Sequence, residues 1–347
     1  MIRLTDLDQY LAAPDTPIRE VMARLNATPH LFQMVVDASG QLRGTVTDGD
    51  IRRALLRGAT LGDPVAACMH TDFAFSRADD GDENDRLLTS GQRPVTFLPI
   101  LDKHDRIVEL LVGAGIDPAI SVAIVMAGGF GRRLGAHTRK TPKPLLSVGG
   151  RPILDHLLQS LEDNGVRDIH VSVHYLADQI KSFVRDRDNQ ARIHFVEEET
   201  PLGTAGALGQ IGEIGQSPIL VVNGDIVTQV DFAAMHDFHD RHGYDGTIAV
   251  IRHDTDIPFG VVRYGEDGSF ERIDEKPVLS HFVAAGVYLL SPVFAGLVAR
   301  DEAMDMNELL NLGREVGLSI GLFPIHEYWV DVGHPEDLDR AMRDHNR

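Results

Sequence analysis

The strongest constraint on the fold is a short stretch in which an apolar segment runs directly into a cluster of glycines. Residues 122–126 are apolar, and Ala127, Gly128, Gly129 and Gly131 follow within five positions. Glycine has no Cβ atom, so the backbone N–H groups of such a turn can approach an anion closely. A helix that begins just after the turn would add its partial positive charge. The pattern predicts a strand, a phosphate-binding turn and a helix start.

Two cations follow this turn, Arg133 and Lys143. A guanidinium group forms bidentate contacts with phosphate oxygens, whereas an ammonium group is a compact point charge. Together with the glycines, the two side chains suit a triphosphate.

The spacing of the glycines excludes two common nucleotide-binding motifs. The dinucleotide motif Gly-x-Gly-x-x-Gly would need a third glycine where Leu134 stands, and Gly135 comes one position late. The P-loop motif needs Lys and then Ser or Thr after its last glycine, but Arg132 and Arg133 follow Gly131.

Length, charge and cysteine content limit the class of protein. The 347 residues predict two domains, and the formal net charge of −19 argues against a nucleic-acid-binding surface and favours small-molecule partners. The single cysteine, Cys68, allows no internal disulfide. The first residues resemble no secretory leader, and no apolar run approaches the roughly 18 residues of a membrane helix. We therefore expect a cytoplasmic protein without a membrane anchor.

A Gly-, Ala- and Pro-containing segment at 112–119 predicts the domain boundary, giving domains at 1–117 and 118–347. In the first domain, the order helix, strand, turn, strand, helix is expected over Ile18 to Leu56. A weaker copy follows, with a helix at Asp82 to Leu88 and strands at Val95 to Leu101 and Ile107 to Val112. The repeats therefore span about 1–60 and 61–117, and the domain is of the α+β class.

In the second domain, strands and helices alternate in the pattern of a doubly wound, mostly parallel α/β sheet. Ile153 to Leu161 places its apolar side chains on one helical face, and strands are expected at Ile169 to His174 and Ile193 to Val196. Ligands bind at the carboxyl ends of the strands in such Rossmann-like folds. Asp225 follows a buried-type strand, where it could cap a helix or bind a metal ion, and phosphoryl chemistry favours the metal role.

The segments Ala127 to Leu134, Thr141 to Leu146 and Gly149 to Leu154 together resemble the signature of sugar-1-phosphate nucleotidylyltransferases. The sequence departs from that signature at Arg132, where the family usually has Thr, and at Ala136, where it usually has Pro. The resemblance implies a phosphate-binding role for the glycine segment and catalytic roles for Arg133 and Lys143.

The resemblance extends along the second domain. The segment Glu197 to Leu208 is similar to the base-recognition loop, which implies nucleotide-binding roles for Glu198, Pro201, Gly203 and Thr204. A carboxylate at Glu198 could accept hydrogen bonds from the adjacent N1–H and N2–H₂ donors of guanine, which favours GTP. Glu197 and Glu199 are expected to be solvated.

The C-terminal motif around Asp331 implies a second metal ligand beside Asp225, and two carboxylates with phosphate oxygens would suit Mg²⁺. The residues that the family uses to hold the sugar phosphate correspond to Gly260, Glu275, Lys276 and Gly286. Ala284 stands where the family usually has Asn, which leaves the identity of the sugar open.

Residues 35–56 resemble a CBS module, and the weaker copy would complete the usual CBS pair. In that family, Thr and Asp at the positions of Thr47 and Asp50 commonly contact the ribose of an adenine nucleotide. The same two side chains can cap the helix that begins there, which the residues themselves favour. Regulation by a nucleotide and dimerisation through the CBS pair are both open, and we expect a homo-oligomer.

Three histidines, His236, His239 and His242, are spaced along one side of an expected helix. Because the apolar residues of that segment form an amphipathic pattern, we expect solvated histidines rather than metal ligands.

The resemblance implies an enzyme that transfers a nucleoside monophosphate from an NTP to a sugar 1-phosphate and releases pyrophosphate. A CBS pair ahead of such a domain resembles the guanylyltransferases that activate glucosamine 1-phosphate. Mannose- or heptose-1-phosphate guanylyl transfer is the alternative, followed by uridylyl or thymidylyl transfer. A regulatory protein that senses nucleotides through a degenerate transferase domain is the alternative of another class.

Overall fold

The structure, a computed structural model, describes residues 2–28, 31–78, 97–112, 120–212 and 215–345. The chain divides into two compact units, Met1–Pro118 and Ala119–Arg347. The predicted helix at 82–88, the start of the strand at 95–101 and most of the predicted boundary segment lie outside the described residues.

The first unit contains the predicted helix, hairpin and helix. The elements are α1 (Ile18–Asn26), β3 (Phe32–Val36), β4 (Leu42–Thr47) and α2 (Asp48–Leu56). Strands β3 and β4 are antiparallel, and β2 (Leu11–Ala12) pairs in parallel with β3. Their inner faces pack against apolar side chains of both helices, which is why the alternating pattern of the sequence identifies these elements well. The buried side chains of this cluster include Ile18, Val21, Leu25, Val35, Val46 and Ile51.

A second hairpin in the first unit forms from β6 (Phe97–Leu101) and β7 (Ile107–Val112). It belongs to a four-stranded sheet of order β1-β7-β6-β5, in which β1 is Ile2–Leu4 and β5 is Ser76–Arg77. The strands of the weaker copy are therefore present where the described residues reach them. The division into two repeats stays a prediction.

The second unit is built on a seven-stranded sheet of order β12-β11-β8-β13-β18-β15-β19. Neighbours are parallel from β12 to β13 and between β15 and β19, and β18 is antiparallel to both of its neighbours. The predicted mostly parallel α/β sheet is confirmed. The strands are β8 (Val122–Met126), β11 (Asp168–Val173), β12 (Arg192–Glu197), β13 (Ile219–Asn223), β15 (Gly246–Asp256), β18 (Val278–Leu290) and β19 (Ile320–Pro324).

Helices and three small two-stranded sheets complete the second unit. The helices are α3 (Ile153–Asp163), α4 (Ala177–Asp186), α5 (Phe232–His242), α6 (Pro292–Ala295), α7 (Met306–Glu315) and α8 (Pro335–His345). The small sheets pair β9 (Ser147–Val148) with β10 (Arg151–Pro152), β14 (Ile226–Thr228) with β20 (Trp329–Asp331), and β16 (Val261–Tyr264) with β17 (Phe270–Asp274).

The direction of the chain across the sheet reverses beside β8. After β8 the chain continues to β11 and β12 on one side of β8, and it then crosses to β13 on the other side. Such a point opens a crevice at the carboxyl ends of the strands. The segments that follow β8, β11 and β13 meet there.

Candidate functional site

The glycine segment lies where the sheet places ligands. Ala127 N donates to Ser172 O over 3.1 Å, and Gly224 N donates to Met126 O over 2.9 Å, so the ends of the three strands are joined. Gly131 has φ +62°, and a Cβ atom there would lie 2.8 Å from Thr138 Cγ2. A larger residue would therefore be strained and would clash, which explains glycine at this turn.

The predicted helix start after the turn is wrong. Residues Arg132–Thr138 form 3₁₀ turns, interrupted at Gly135 with φ 58° and ψ −113°. Short 3₁₀ turns align few peptide dipoles, so positive charge at this position comes from side chains. Arg132 and Arg133 are exposed, and the Arg132 guanidinium lies 4.9 Å from the centre of the Phe130 ring.

Lys143 joins the two predicted metal ligands. Its ammonium group contacts Asp225 Oδ2 directly and lies 3.8 Å from Asp331 Oδ1. The Lys143 side chain is 12% exposed, so its charge is held in one place rather than solvated.

Strand pairing explains why the two aspartates meet. Asp225 directly precedes β14, Asp331 ends β20, and Ile226 is opposite Asp331 in the antiparallel register. Val332 N also donates to Asp225 O over 3.0 Å. Two residues that are far apart in sequence are thus fixed within reach of one ammonium group.

The electrostatics of this cluster fit a cation ligand. Burial raises the pKa of Asp331, the nearby Asp225 charge raises it further, and Lys143 lowers it. Asp225 Oδ1 is buried and has no hydrogen-bond partner among the described residues. A buried carboxylate oxygen without a partner is costly unless something binds it. Both observations fit a divalent cation held by Asp225 and Asp331.

Glu198 lies beneath the glycine segment. It is 9% exposed, and a Cβ atom on Gly128 would lie 3.2 Å from Glu198 Oε1. Ser172 donates to Oε1 through its hydroxyl, and Leu202 N donates to Oε2 over 2.9 Å. The carboxylate therefore ties the loop after β12 to the sheet. Its predicted contact with guanine stays a prediction.

Residues at the start of α7 hold in place the loop that carries Pro201, Gly203 and Thr204. Thr204 N donates to Asp305 Oδ1 over 3.1 Å, and Met306 N donates to Thr204 Oγ1 over 2.8 Å. Asp305 is not among the residues predicted from the sequence, although the capping box that it forms with Glu308 at the helix start is a recognisable sequence pattern.

Glu197, a neighbour of Glu198, is solvated as predicted, since its side chain is 70% exposed. Its Oε1 also lies 2.7 Å from Lys181 Nζ, in a surface ion pair.

The predicted sugar-phosphate residues are not all gathered at the cluster. A Cβ atom on Gly286 would lie 2.7 Å from Asn223 Nδ2, which places Gly286 beside the end of β13. Gly260 lies against Glu275, with 3.0 Å from its ideal Cβ position to Glu275 Oε2. Glu275 and Lys276 are exposed, and within the described residues neither forms an ion pair with the Lys143 cluster.

In the first unit, Thr47 and Asp50 form the capping box that the residues favoured. Asp50 N donates to Thr47 Oγ1 over 3.3 Å, and Thr47 N donates to Asp50 Oδ2 over 2.9 Å. Asp50 Oδ1 also accepts a hydrogen bond from Arg53. The two side chains therefore start α2, and a contact with ribose stays a prediction.

Two of the three histidines of α5, His236 and His239, are buried rather than solvated as predicted, whereas His242 is half-buried. His236 is 7% exposed and His239 is 3% exposed. His239 Nδ1 lies 2.9 Å from Thr247 Oγ1 on β15, and burial lowers the pKa of His239 to about 4. The helix packs against the sheet through this face, so the amphipathic pattern understated how much of α5 is covered.

The described part of the chain also bears on the predictions about the membrane and the metal ion. It contains no helix long and apolar enough to cross a membrane. It also contains no group of three or more His, Cys, Asp or Glu side chains arranged to hold a metal ion. A metal at Asp225 and Asp331 would therefore need oxygen ligands from a substrate or from water. The cytoplasmic location stays a prediction.

Comparison with known families finds a match within each unit. The family model described as nucleotidyl transferase matches residues 122–347, and the CBS domain model matches residues 8–57. The predicted second CBS copy lies outside that match.

Relatives and solved structures agree with this match. The mannose-1-phosphate guanyltransferase of Emericella nidulans is 35% identical over 226 residues, which are 62% of each chain. The catalytic subunit beta of mannose-1-phosphate guanylyltransferase from Danio rerio is 32% identical over 228 residues, 63% of each chain. The chain thus spans somewhat less than two thirds of the length of these curated relatives.

The crystal structure of HddC from Yersinia pseudotuberculosis has a TM-score of 0.52 and 28% identity, and the match covers 65% of this chain and 99% of that one. The same protein complexed with GMP-PN matches at a TM-score of 0.51, 27% identity, and coverage of 65% and 99%. Enzymes of this kind generally use a divalent metal ion. Since the family model covers most of the chain, this protein belongs to the nucleotidyl transferase family.

Proposed function

We propose that this protein transfers a guanylyl group from GTP to a sugar 1-phosphate, giving a GDP-sugar and pyrophosphate. The observation that carries the proposal is the cluster in which Lys143 contacts Asp225 and lies 3.8 Å from Asp331, at the strand ends beside the glycine segment. Relatives named as mannose-1-phosphate guanyltransferases and a structural neighbour complexed with GMP-PN support guanine over other bases.

The reaction needs no protein nucleophile. A phosphate oxygen of the sugar 1-phosphate attacks the α-phosphorus of GTP, the bond from that phosphorus to the β-bridging oxygen breaks, and pyrophosphate leaves. Because the attacking oxygen is already anionic, no base has to remove a proton. Catalysis would rest on in-line positioning and on neutralising charge as it moves toward pyrophosphate.

Each predicted site residue would have a role in this reaction. Backbone N–H groups of the glycine segment would hold the triphosphate, and Arg133 would add positive charge there. The glycine segment comprises Ala127, Gly128, Gly129 and Gly131. Lys143, fixed by the two aspartates, would neutralise the phosphate that is attacked. Lys276 would bind the acceptor phosphate, and Glu275 would accept hydrogen bonds from sugar hydroxyls.

Asp225 and Asp331 would hold Mg²⁺, since the buried Asp225 Oδ1 has no other partner in the described residues. When bound, the cation would neutralise phosphate charge and help to align the triphosphate. We expect a chelator to abolish transfer and Mg²⁺ to restore it, and Asp331→Asn to raise the Mg²⁺ concentration that half-restores activity. Full activity after exhaustive chelation would contradict the metal role.

The acceptor sugar has two candidates. The order of a CBS unit ahead of a transferase favours glucosamine 1-phosphate, whereas the names of the relatives favour mannose 1-phosphate. Ala284, on β18 two positions before Gly286, stands where the family usually has Asn, so the usual amide contact with the sugar cannot be made there.

A screen of pyrophosphate release tests the proposal. Four NTPs are each combined with glucosamine, mannose, heptose and glucose 1-phosphates, with Lys143→Ala as the blank. We expect release with GTP and one of the first two sugars. Release with UTP or dTTP alone would contradict the guanylyl assignment, and no release with any pair would favour a nucleotide-sensing protein.

We propose in addition that the CBS unit binds an adenine nucleotide at the end of β4. Thr47 and Asp50 would have to offer their remaining lone pairs to the ribose, since each already caps α2. A thermal shift with AMP, ADP and ATP tests this, because a ligand that binds only the folded state raises the melting temperature. No shift at millimolar nucleotide would refute it.

A further inference from the structure

The segment that leads into α7 packs closely along the loop of residues 200–205. Met304 N donates to Leu202 O over 2.9 Å, and Ala205 N donates to Met304 O over 2.9 Å. Between these two bonds, the ideal Cβ position of Gly203 is only 2.6 Å from Met304 O. The backbone of Met304 therefore holds the loop on both sides of Gly203.

Asp305 adds side-chain contacts to this backbone pairing. Its Oδ1 accepts hydrogen bonds from Thr204 N over 3.1 Å and from Thr204 Oγ1 over 3.3 Å. The Thr204 hydroxyl in turn accepts a hydrogen bond from Met306 N over 2.8 Å. A carboxylate forms stronger hydrogen bonds than a neutral oxygen does. Asp305 thus links the loop firmly to the first turn of α7.

Gly203 lies between the bonded residues and has free backbone groups. Leu202 N donates to Glu198, and Thr204 N donates to Asp305. Gly203 itself is exposed, and its N–H and C=O groups form no hydrogen bond within the part of the chain that the structure describes. A donor and an acceptor on one exposed residue can bind the polar edge of a nucleobase.

Glu198 places this loop beside the glycine segment. It accepts a hydrogen bond from Leu202 N over 2.9 Å, and the ideal Cβ position of Gly128 is 3.2 Å from its Oε1. A nucleotide that binds the glycine segment through its phosphates could therefore reach Gly203 with its base.

We propose that Asp305 is a positioning residue for nucleotide binding. It would contact no nucleotide itself, but by holding Thr204 it sets the direction of the Gly203 peptide groups, which bind the base. This role rests on the proposed function, because the glycine segment and the loop must bind one nucleotide. Without Asp305 the loop would hold its binding arrangement for only a fraction of the time, and the apparent affinity falls in proportion to that fraction.

Asp305 also caps α7, so a test must separate positioning of the loop from stability of the helix. Asp305 directly precedes α7 and forms a capping box with Glu308. Asp231 has the same place before α5, where its side chain accepts a hydrogen bond from Ala234 N over 2.9 Å. The two aspartates share this capping role, but Asp231 has no hydrogen bond to residues 200–205 among the described contacts.

The test compares Asp305→Ala, Asp305→Asn and Asp231→Ala in the full chain. Loss of either cap should destabilise the protein to a similar extent, whereas asparagine caps a helix as well as aspartate does and keeps an oxygen that can accept from Thr204 N. Isothermal titration calorimetry with Mg²⁺ measures binding of a non-hydrolysable GTP analogue, and urea unfolding measures stability. Steady-state pyrophosphate release gives kcat and the KM for each substrate.

We expect Asp305→Ala to bind the GTP analogue at least ~10-fold more weakly, because the loop loses a hydrogen bond to a charged group. Its KM for GTP should rise by a similar factor. Its kcat and its KM for the sugar 1-phosphate should stay near the wild-type values, since the Lys143 cluster is unchanged. Asp231→Ala should bind the analogue normally despite a similar loss of stability, and Asp305→Asn should recover most of the affinity.

Equal weakening of analogue binding in Asp305→Ala and Asp231→Ala would mean that helix stability alone is responsible, and it would overturn the proposal. Absence of analogue binding by the wild type would overturn the proposed function and this role together. Wild-type binding that Asp305→Ala leaves unchanged would overturn only the role of Asp305. Because analogue binding is measured without turnover, the two failures are distinguishable.

Discussion

At the scale of single residues, Lys143 has the most informative contacts in the protein. It contacts Asp225 and lies 3.8 Å from Asp331, so one ammonium group holds two carboxylates that would otherwise repel each other. Such an arrangement keeps a cation in place before any substrate binds, which would reduce the reorganisation required during the proposed transfer.

We expect Lys143→Ala to lower guanylyl transfer at least ~100-fold, because a fixed cation beside the reacting phosphate is lost. Lys181→Ala is the matched control, since Lys181 also pairs with a carboxylate, that of Glu197, over 2.7 Å. Steady-state pyrophosphate release measures both variants, and circular dichroism checks that both fold. Near-normal release by Lys143→Ala would refute its catalytic role.

His239 makes stability depend on pH. Burial lowers its pKa to about 4 in the folded protein, whereas an unfolded chain titrates near 6.5. Between these values the unfolded state binds the proton and the folded state does not, so stability falls as pH falls through this window. Above about 6.5 both states are neutral and this contribution is absent.

We expect the His239 contribution to reach at most about 3 kcal/mol at pH 4. His239→Gln removes the titrating group, so its free energy of unfolding should fall less than that of the wild type between pH 7 and pH 4.5. Urea unfolding at several pH values measures the difference. Parallel pH profiles for the two proteins would contradict the assignment.

At the scale of elements, the loop of residues 200–205, which is predicted to bind the nucleotide, shows how separate segments hold one loop in place. Two hydrogen bonds hold this loop: Leu202 N donates to Glu198 Oε2, and Thr204 N donates to Asp305 Oδ1. Gly203 lies at the narrowest point, with φ +76° and only 2.6 Å from its ideal Cβ position to Met304 O. The loop can follow this path only if residue 203 has no side chain.

Gly203→Ala should therefore destabilise the protein by about 2–4 kcal/mol, because both the backbone conformation and the contact with a carbonyl are unfavourable. Gly243→Ala separates the two causes, since Gly243 has φ +61° but nothing within 4 Å of its ideal Cβ position. It should cost only about 1 kcal/mol. Thermal or urea unfolding gives both values, and equal losses would contradict the steric argument.

At the scale of the whole molecule, the two compact units match different families. The unit that starts at Ala119 contains the Lys143 cluster and the seven-stranded sheet, and the nucleotidyl transferase match begins at residue 122. The CBS match lies wholly in the other unit. The proposed catalysis and the proposed regulation thus belong to separate parts of the chain.

We expect residues 119–347 alone to fold and to transfer guanylyl groups, because this unit contains the whole Lys143 cluster. Thermal shifts caused by adenine nucleotides should disappear with residues 1–118. Circular dichroism and pyrophosphate release measure the truncated chain beside the full one. A truncated chain that folds but releases no pyrophosphate would contradict this division.

The sequence alone determined much of the architecture. The strand before Ala127, the helix beginning at Ile153 and the strand at Ile169 to His174 were all predicted close to their observed positions, because period and turn residues are local properties. The parallel character of the sheet followed from the alternation of strands and helices. The glycines and cations of residues 127–143 also predict a phosphate-binding segment, and that role stays a prediction.

Tertiary structure decided the rest, because contacts between distant segments leave no local pattern. The juxtaposition of Asp225 and Asp331 comes from the pairing of β14 with β20. The engagement of Glu198 by Ser172, and the burial of His239 against Thr247, depend on how loops and α5 pack onto the sheet. The exposure of Phe259, Tyr264 and Phe270 is likewise absent from the sequence pattern, since burial belongs to the folded chain as a whole.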